Sequence, residues 1–402
     1  RMHLAQVELP ASRDINSSNW KWALDGDLAK KCSKFCKPPE VSTQIANAVL
    51  IGVSIETCLP SCITPAVKQC LSTCQEFVGK WRGATYPCRL VLLVQSMGGH
   101  HCGEPLLGMW RALRAELSVT NKHIQILSLF TDQVNLEQLE QVLLATWGPH
   151  VELIVEDGQC WERRLRVFTE PSQPAATNLD LTRPFLVTGG TGVLGSVVAE
   201  WLLQKGANKV FLISRNPQRK LSQRLQDILA KCQGRVEMVF GNVTIPEDVN
   251  RILQQVGPCE GLFHLAGYSS PATLSQITTQ VIQEELSPKM AVWNLHERMC
   301  RCGGPPKIFA LFSSVCVMGY EGGIGYTVGN TCLDMLAEAV RSDGFPAVSL
   351  QLAPVASGDG GMGKEHQTFF QTRGCDEVSE VDVVWALDKI WTGHMQEDSM
   401  LL

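Results

Sequence analysis

No stretch of this 402-residue chain approaches the roughly 18 consecutive apolar residues that a membrane-spanning helix needs, so no membrane anchor is expected. The opening Arg1-Met2-His3-Leu4 carries charge where a leader would carry an apolar run. Positive charge is not in excess either: 35 Lys and Arg stand against 40 Asp and Glu, a formal net charge of -5. That balance argues against nucleic acid or an anionic membrane as a partner. The 16 cysteines lack the Cys-x-x-Cys knuckles of structural zinc sites, and the nearest pairs, Cys32/Cys36, Cys58/Cys62 and Cys70/Cys74, are each four apart. Scattered core thiols in a reducing compartment are the favoured reading, ahead of zinc or disulfides. A cytoplasmic chain is expected, and one cut from something longer, since it starts at Arg1 and stops at Met400-Leu401-Leu402 without a terminal signature.

The length exceeds what one hydrophobic core usually serves and points to two domains of roughly 200 residues each. Residues 169–184 (TEPSQPAATNLDLTRP) are rich in Pro, Ser, Thr and Asn, without apolar periodicity, and read as a linker. The boundaries expected are therefore 1–175 and 184–402. Before the linker, strands are expected at 89–94, 123–129 and 151–155, and helices at 105–117 and 135–147, an α/β alternation. Met97-Gly98-Gly99-His100-His101-Cys102-Gly103 follows a strand but lacks the glycine spacing of a dinucleotide fingerprint; its His100, His101 and Cys102 read as loop residues rather than metal ligands. The first half is taken as a scaffold.

The second half is more explicit. Phe185-Leu186-Val187 runs into Thr188-Gly189-Gly190-Thr191-Gly192-Val193-Leu194-Gly195 and then the helical pattern SVVAEWLLQK. Strand, glycine-rich turn and helix in this order bring backbone amides and a helix N-terminus to a pyrophosphate. The next strand, KVFLIS, ends at Ser214-Arg215-Asn216, where a carboxylate would accept hydrogen bonds from the 2′-hydroxyl of NAD. Arg215, with Arg219 and Lys220 behind it, suits a 2′-phosphate instead, so NADPH is preferred over NAD. Three more strand patterns, 236–240, 261–265 and 308–312, run into Gly241-Asn242-Val243, Ala266-Gly267 and Ser313-Ser314. The set makes a Rossmann-type doubly wound parallel sheet whose strand ends line a crevice.

One further absence is decisive. Tyr326-Thr-Val-Gly-Asn330 has the spacing of the Tyr-x-x-x-Lys pair of short-chain dehydrogenases, but asparagine stands where the lysine belongs. Reducing a ketone needs a proton donor, a hydroxyl to orient the oxygen and a cation to stabilise tyrosinate. Tyr326 is the candidate donor, Lys289, 37 residues earlier, the candidate cation, and Ser313 or Ser314 the hydroxyl.

These residues resemble the ketoreductase domains of type I polyketide synthases and animal-type fatty acid synthases, a branch of the short-chain dehydrogenase/reductase superfamily in which the lysine and asparagine positions are interchanged. The resemblance runs through Thr188–Gly195, His264–Gly267, Pro288–His296, Phe312–Ser314 and Tyr326–Ala337. Trp110–Glu116, Asp157-Gly158 and Arg164–Arg166 extend it weakly into the first half, as a truncated Rossmann-like structural subdomain without a cofactor site. The resemblance implies an NADPH-dependent oxidoreductase that reduces a β-ketoacyl thioester on the phosphopantetheine of an acyl carrier protein, working beside neighbouring synthase domains in polyketide or fatty acid biosynthesis. It implies Tyr326 as general acid, Ser314 as substrate hydrogen-bond donor, Lys289 as partner of the tyrosine and Asn330 as a positioning group. The Phe-Ser-Ser triplet favours Ser314, while spacing from Tyr326 favours Ser313. Thr188, Gly189, Gly190, Thr191, Gly192, Val193, Leu194, Ser214, Arg215, Asn242, Val243, Ala266 and Gly267 are implied to hold the cofactor; Asn242 replaces an aspartate at the adenine.

The chain departs from the family in Leu352-Ala353-Pro354, in place of Trp-Gly-Pro, and in Tyr268-Ser269-Ser270, in place of Leu-Asp-Asp. Its glycine-rich segment 357–363, leading into 364–374, is expected to form a lid over the substrate. The alternative reading is a degenerate, catalytically silent scaffold or docking module.

Overall fold

The computed structural model describes residues 2–6, 20–23, 48–55, 57, 59–83, 88–96, 100–120, 124–131, 150–156, 159–165, 178–356, 376–393 and 400–401. The helix expected at 135–147, the expected lid at 357–374, and Cys32, Cys36 and Cys58 lie outside the described residues. By contacts the chain divides into two compact units: Arg1–Val167 with Ser270–Gln283 and Met318–Thr331, and Phe168–Ser269 with Glu284–Val317 and Cys332–Leu402. The first boundary thus falls two residues before the expected linker, and two later segments group with the first unit.

The first unit carries β1 (Met2–Gln6), β2 (Trp20–Ala23), β3 (Ala48–Ile55), α1 (Pro60–Trp81), β4 (Cys88–Ser96), α2 (Glu104–Thr120), β5 (Ile124–Thr131), β6 (His150–Glu156) and β7 (Gln159–Leu165). Its strands form one sheet in the order β1-β7-β6-β5-β4-β3-β2. Strands β2 to β6 run parallel, whereas β7 and β1 are antiparallel additions. Helix α1 buries Ile63, Val67, Cys70, Leu71, Cys74, Phe77, Val78 and Trp81, a stripe at three- and four-residue spacing. Cys70 and Cys74 are therefore core thiols on one helical face, and burial pushes the Cys70 thiol up to about 12. His100–Gly103 forms a short 3-10 turn before α2, with Cys102 buried.

The second unit alternates strand and helix: β8 (Phe185–Thr188), α3 (Val193–Gln204), β9 (Val210–Ser214), α4 (Gln223–Lys231), β10 (Val236–Phe240), α5 (Pro246–Val256), β11 (Gly261–His264), α6 (Thr279–Gly303), β12 (Ile308–Ser314), α7 (Ile324–Ser342), β13 (Val348–Leu352), α8 (Glu380–Trp391) and β14 (Met400–Leu401). The order β10-β9-β8-β11-β12-β13-β14 is parallel throughout. Parallel strands must be covered on both faces, which is why β8, β9, β11 and β12 are buried along their whole length. One face packs Phe185, Val187, Trp201, Leu202, Val210, Leu212, Phe263 and Leu387 into a core. Trp201 donates its indole N–H to Asp388 Oδ1 at 2.8 Å, so its bulk is buried without an unpaired polar atom. The first residues of α6 and α7 belong to the first unit and the remainder to the second.

Candidate active site

The strand order reverses between β8 and β11, and there the carboxyl ends of the strands open into a crevice of about 260 Å³. Gly189, Thr191, Gly192, Ser214, Arg215, Asn242, Val243, Ala266 and Gly267 line it, together with Ile213, Arg219, Gly241, Leu265 and Pro288. Thr188, Gly190, Val193 and Leu194 do not. Thr188 lies beneath the turn, fully buried, Gly190 packs against Leu212, and Val193 and Leu194 form the first turn of α3.

The glycines are required by space. Gly189 has φ +67, and a Cβ there would lie 2.8 Å from the Leu265 carbonyl carbon; at Gly195 it would lie 2.5 Å from the Gly190 carbonyl oxygen. The turn consequently lies flat on the strand ends. Thr191 and Ser214, hydroxyl to hydroxyl at 3.1 Å, pin it to the end of β9. Gly192 caps α3 without a side-chain acceptor, so the first-turn amides are not occupied by a capping side chain. The helix N-terminus, the backbone turn, Arg215 and Arg219 line one crevice, and no carboxylate lines it among the described residues. This donor set fits a phosphorylated dinucleotide. Asn242 differs from the expectation in one respect: its Oδ1 accepts from Thr244 N–H and Oγ1–H at 3.1 and 3.0 Å, so the oxygen serves its own loop. Only its Nδ2 end can donate to a base.

Behind the crevice runs a buried polar chain. Ala266 N–H donates to Thr188 Oγ1 at 3.4 Å, and Thr188 Oγ1 lies 2.8 Å from His264 Nδ1. The other ring nitrogen, Nε2, faces the Pro288 carbonyl without completing a full hydrogen bond, which favours the ring proton there and leaves Nδ1 to accept from the Thr188 hydroxyl. Burial, and then the Lys289 charge, push His264 down to about 3, so the imidazole is neutral. The structure adds His264 and Thr188 as a linked pair; the short polar ends of neighbouring parallel strands were the only sequence signal for it.

Lys289 follows Pro288 on α6 and is buried. Burial lowers its ammonium to about 8, opposed by Cys316, Asp334, Cys332 and Glu285. A methyl at Gly267 would lie 3.5 Å from Lys289 Cε and 3.9 Å from Nζ, which puts the amine at the rim of the crevice.

Both serines are buried at the end of β12. Strand alternation puts them on opposite faces. Ile308, Ala310 and Phe312 belong to the core on the α3 face, while Phe309, on the other, stacks on His296 of α6 at 4.8 Å. On neighbouring β13, Ser349 and Gln351 bond Asp334 of α7. Ser313 shares that α6 and α7 face; Ser314 continues the Phe312 side, and its Oγ accepts from Cys316 N–H at 3.2 Å.

Tyr326 and Asn330 stand one turn apart at the start of α7, among the residues grouped with the first unit. Tyr326 is half-buried and Asn330 fully buried, and Asn330 Nδ2 donates to the Tyr326 carbonyl at 2.9 Å.

Residues 184–357 match the KR domain family. A chalcone synthase of Aspergillus candidus is 28% identical over 386 residues, which is 90% of this chain and 14% of that protein. A highly reducing polyketide synthase of Aspergillus terreus is 29% identical over 206 residues, covering 48% of this chain and 8% of the relative. The polyketide synthase GfsA of Streptomyces halstedii is 35% identical over 182 residues, covering 44% and 2%. The chain therefore spans a small part of these relatives. Among solved structures, the ketoreductase from the first module of phoslactomycin biosynthesis in Streptomyces sp. HK803 superposes with a TM-score of 0.78 at 21% identity, over 100% of this chain and 92% of that one. Residues 184–357 thus belong to the KR domain family, on the α/β fold shared with the ketoreductases of modular polyketide synthases.

Proposed function

We propose that this chain is an NADPH-dependent β-ketoacyl reductase that converts a carrier-bound β-ketoacyl thioester to the β-hydroxyacyl thioester, with Tyr326 as general acid. The observation that carries this reading is the crevice at the α3 N-terminus, which presents Arg215 and Arg219 and has no lining carboxylate among the described residues. Gly189, Thr191, Gly192 and the first-turn amides of α3 would hold the pyrophosphate, and Arg215 and Arg219 the 2′-phosphate. NADPH, when bound, supplies the hydride.

The chain's own residues handle the proton. The Tyr326 phenol gives its proton to the carbonyl oxygen as the alkoxide forms. A serine hydroxyl at the end of β12 orients that oxygen. Lys289 is the cation of the set, and its charge favours the tyrosinate left behind; Asn330 holds the first turn of α7 through the Tyr326 carbonyl. An acyl carrier protein and neighbouring synthase domains are the partners this reading requires.

The test is loss of reduced-nicotinamide absorbance on mixing the 402-residue chain with NADPH and a panel of β-ketoacyl thioester mimics. Turnover by the wild type, and a fall of about 10²- to 10⁴-fold in Tyr326→Phe with NADPH affinity unchanged, is expected. No turnover across the panel overturns the reading, and absent NADPH binding as well favours a silent scaffold.

A further inference from the structure

Helix α2 carries a buried carboxylate that the chemistry above does not use. Glu116 is 6% exposed, and both its oxygens accept from the Leu274 N–H, at 2.9 and 3.0 Å. The Gly322 amide is its second donor. No cation pairs with it among the described residues. Burial raises its pKa, the two amides oppose the rise, and the Glu321 charge adds to it, so keeping a carboxylate here has a cost.

The two amides belong to segments far apart in sequence that are already joined. Ala272 N–H donates to the Gly322 carbonyl at 2.8 Å, and Ala272 forms an isolated bridge with Gly323. Gly323 in turn begins the helix: its carbonyl accepts from Thr327 N–H at 2.8 Å, one residue past Tyr326. Two more contacts press α2 on the same stretch. A side chain at Gly319 would collide with the Arg111 backbone, and a Cβ at Gly108 would lie 2.6 Å from Thr331 Oγ1. From α1, Gln75 Nε2 donates to the Leu274 and Ile277 carbonyls at 2.9 and 2.8 Å. Helices of the half read from sequence as a scaffold thus hold the turn that launches the tyrosine.

We propose that Glu116 is a positioning residue for the reduction: its carboxylate ties residues 274 and 322 together and so sets where α7 starts and where Tyr326 stands. This rests on Tyr326 being the acid. A displacement of about 1 Å at a reacting group can lower a rate by about 10²-fold without touching cofactor affinity.

Three variants of the full chain test it: Glu116→Ala, Glu116→Asp, which keeps the charge but falls one methylene short, and Glu116→Gln, which keeps the length and one acceptor. Expected in Ala and Asp is a fall in kcat of about 10- to 100-fold with the NADPH Kd within about twofold of wild type, and partial recovery in Gln. Amide hydrogen exchange should quicken in 272–277 and 320–327 and stay unchanged in 188–195. Unchanged kcat in Ala, or exchange and NADPH affinity disturbed equally at 188–195, overturns the proposal, since the residue would then be inert or a general support. Exchange needs no turnover, so an inactive wild type sinks the proposed reaction while exchange still decides whether Glu116 holds the turn.

Discussion

Asn330 donates its side-chain amide to the Tyr326 carbonyl at 2.9 Å, one helical turn back, so the residue that stands in the place of a lysine braces the backbone of the tyrosine. Asparagine can do this because its Nδ2 is a neutral donor that a fully buried site tolerates. Asn330→Asp would set a buried carboxylate against a carbonyl. Chemical unfolding should show a loss of about 2–4 kcal/mol for Asp, against about 1 kcal/mol for Asn330→Ala. Equal losses in the two variants would contradict the brace.

Ser313 and Ser314 occupy opposite faces of β12, so one of them, not both, can serve the substrate. The family triplet points to Ser314; the face shared with α6 and α7 points to Ser313. Single alanine variants separate them: the orienting serine should lower kcat/KM by about 10- to 1,000-fold, and its neighbour by less than about threefold. Equal effects would show that the hydroxyl role is not confined to one side chain.

Arg215 lies exposed beside Arg219 on the wall of the crevice. Arg215→Glu should reduce kcat/KM with NADPH by about 10- to 100-fold, the worth of one charge-assisted contact of about 1.5–3 kcal/mol. Activity with NADH should hold or rise. A parallel fall with both cofactors would show that Arg215 supports the fold and does not read the 2′-phosphate.

Two buried bases give pH signatures of the same sign in two separate windows, both testable without substrate. His264 is neutral in the folded chain down to about 3, while the unfolded chain takes up a proton below about 6.5. Its contribution to stability is therefore lost as pH falls from 6.5 toward 3. Lys289, lowered to about 8 from 10.5, is neutral in the folded chain above 8 while the unfolded chain keeps its proton. Stability then rises with pH from 8 to 10.5, by about 3 kcal/mol at most relative to Lys289→Met. Denaturant unfolding of the wild type, Lys289→Met and His264→Asn across these windows reads both slopes. A flat difference between wild type and Lys289→Met would show a fully solvated ammonium.

Much of the second unit was legible in the sequence, because each of its signals is local. Phe185–Thr188 followed by Gly189, Gly192 and Gly195 can only be a strand, a tight turn and a helix, since a Cβ at Gly189 or Gly195 meets backbone. The strands expected at 236–240, 261–265 and 308–312 end within two residues of β10, β11 and β12. In the first unit, β4, α2, β5 and β6 fall where apolar period placed them. Ile213, Gly241, Leu265 and Pro288 were not among the expected cofactor residues, because they contribute backbone and surface, not a chemical signature.

By itself the sequence determined the α/β class, the glycine-rich turn between β8 and α3, the basic group after β9 and the absence of lysine from position 330, with a candidate at 289. These depend on residues within a few positions of one another, where periodicity and turn chemistry act. Tertiary structure alone decided that Glu116 meets Leu274, 158 residues away, that Thr188 meets His264, and that the turn before Tyr326 is gripped by α2. Such pairings arise when buried polar groups find partners across the packed core, a condition on the whole chain that no local pattern encodes.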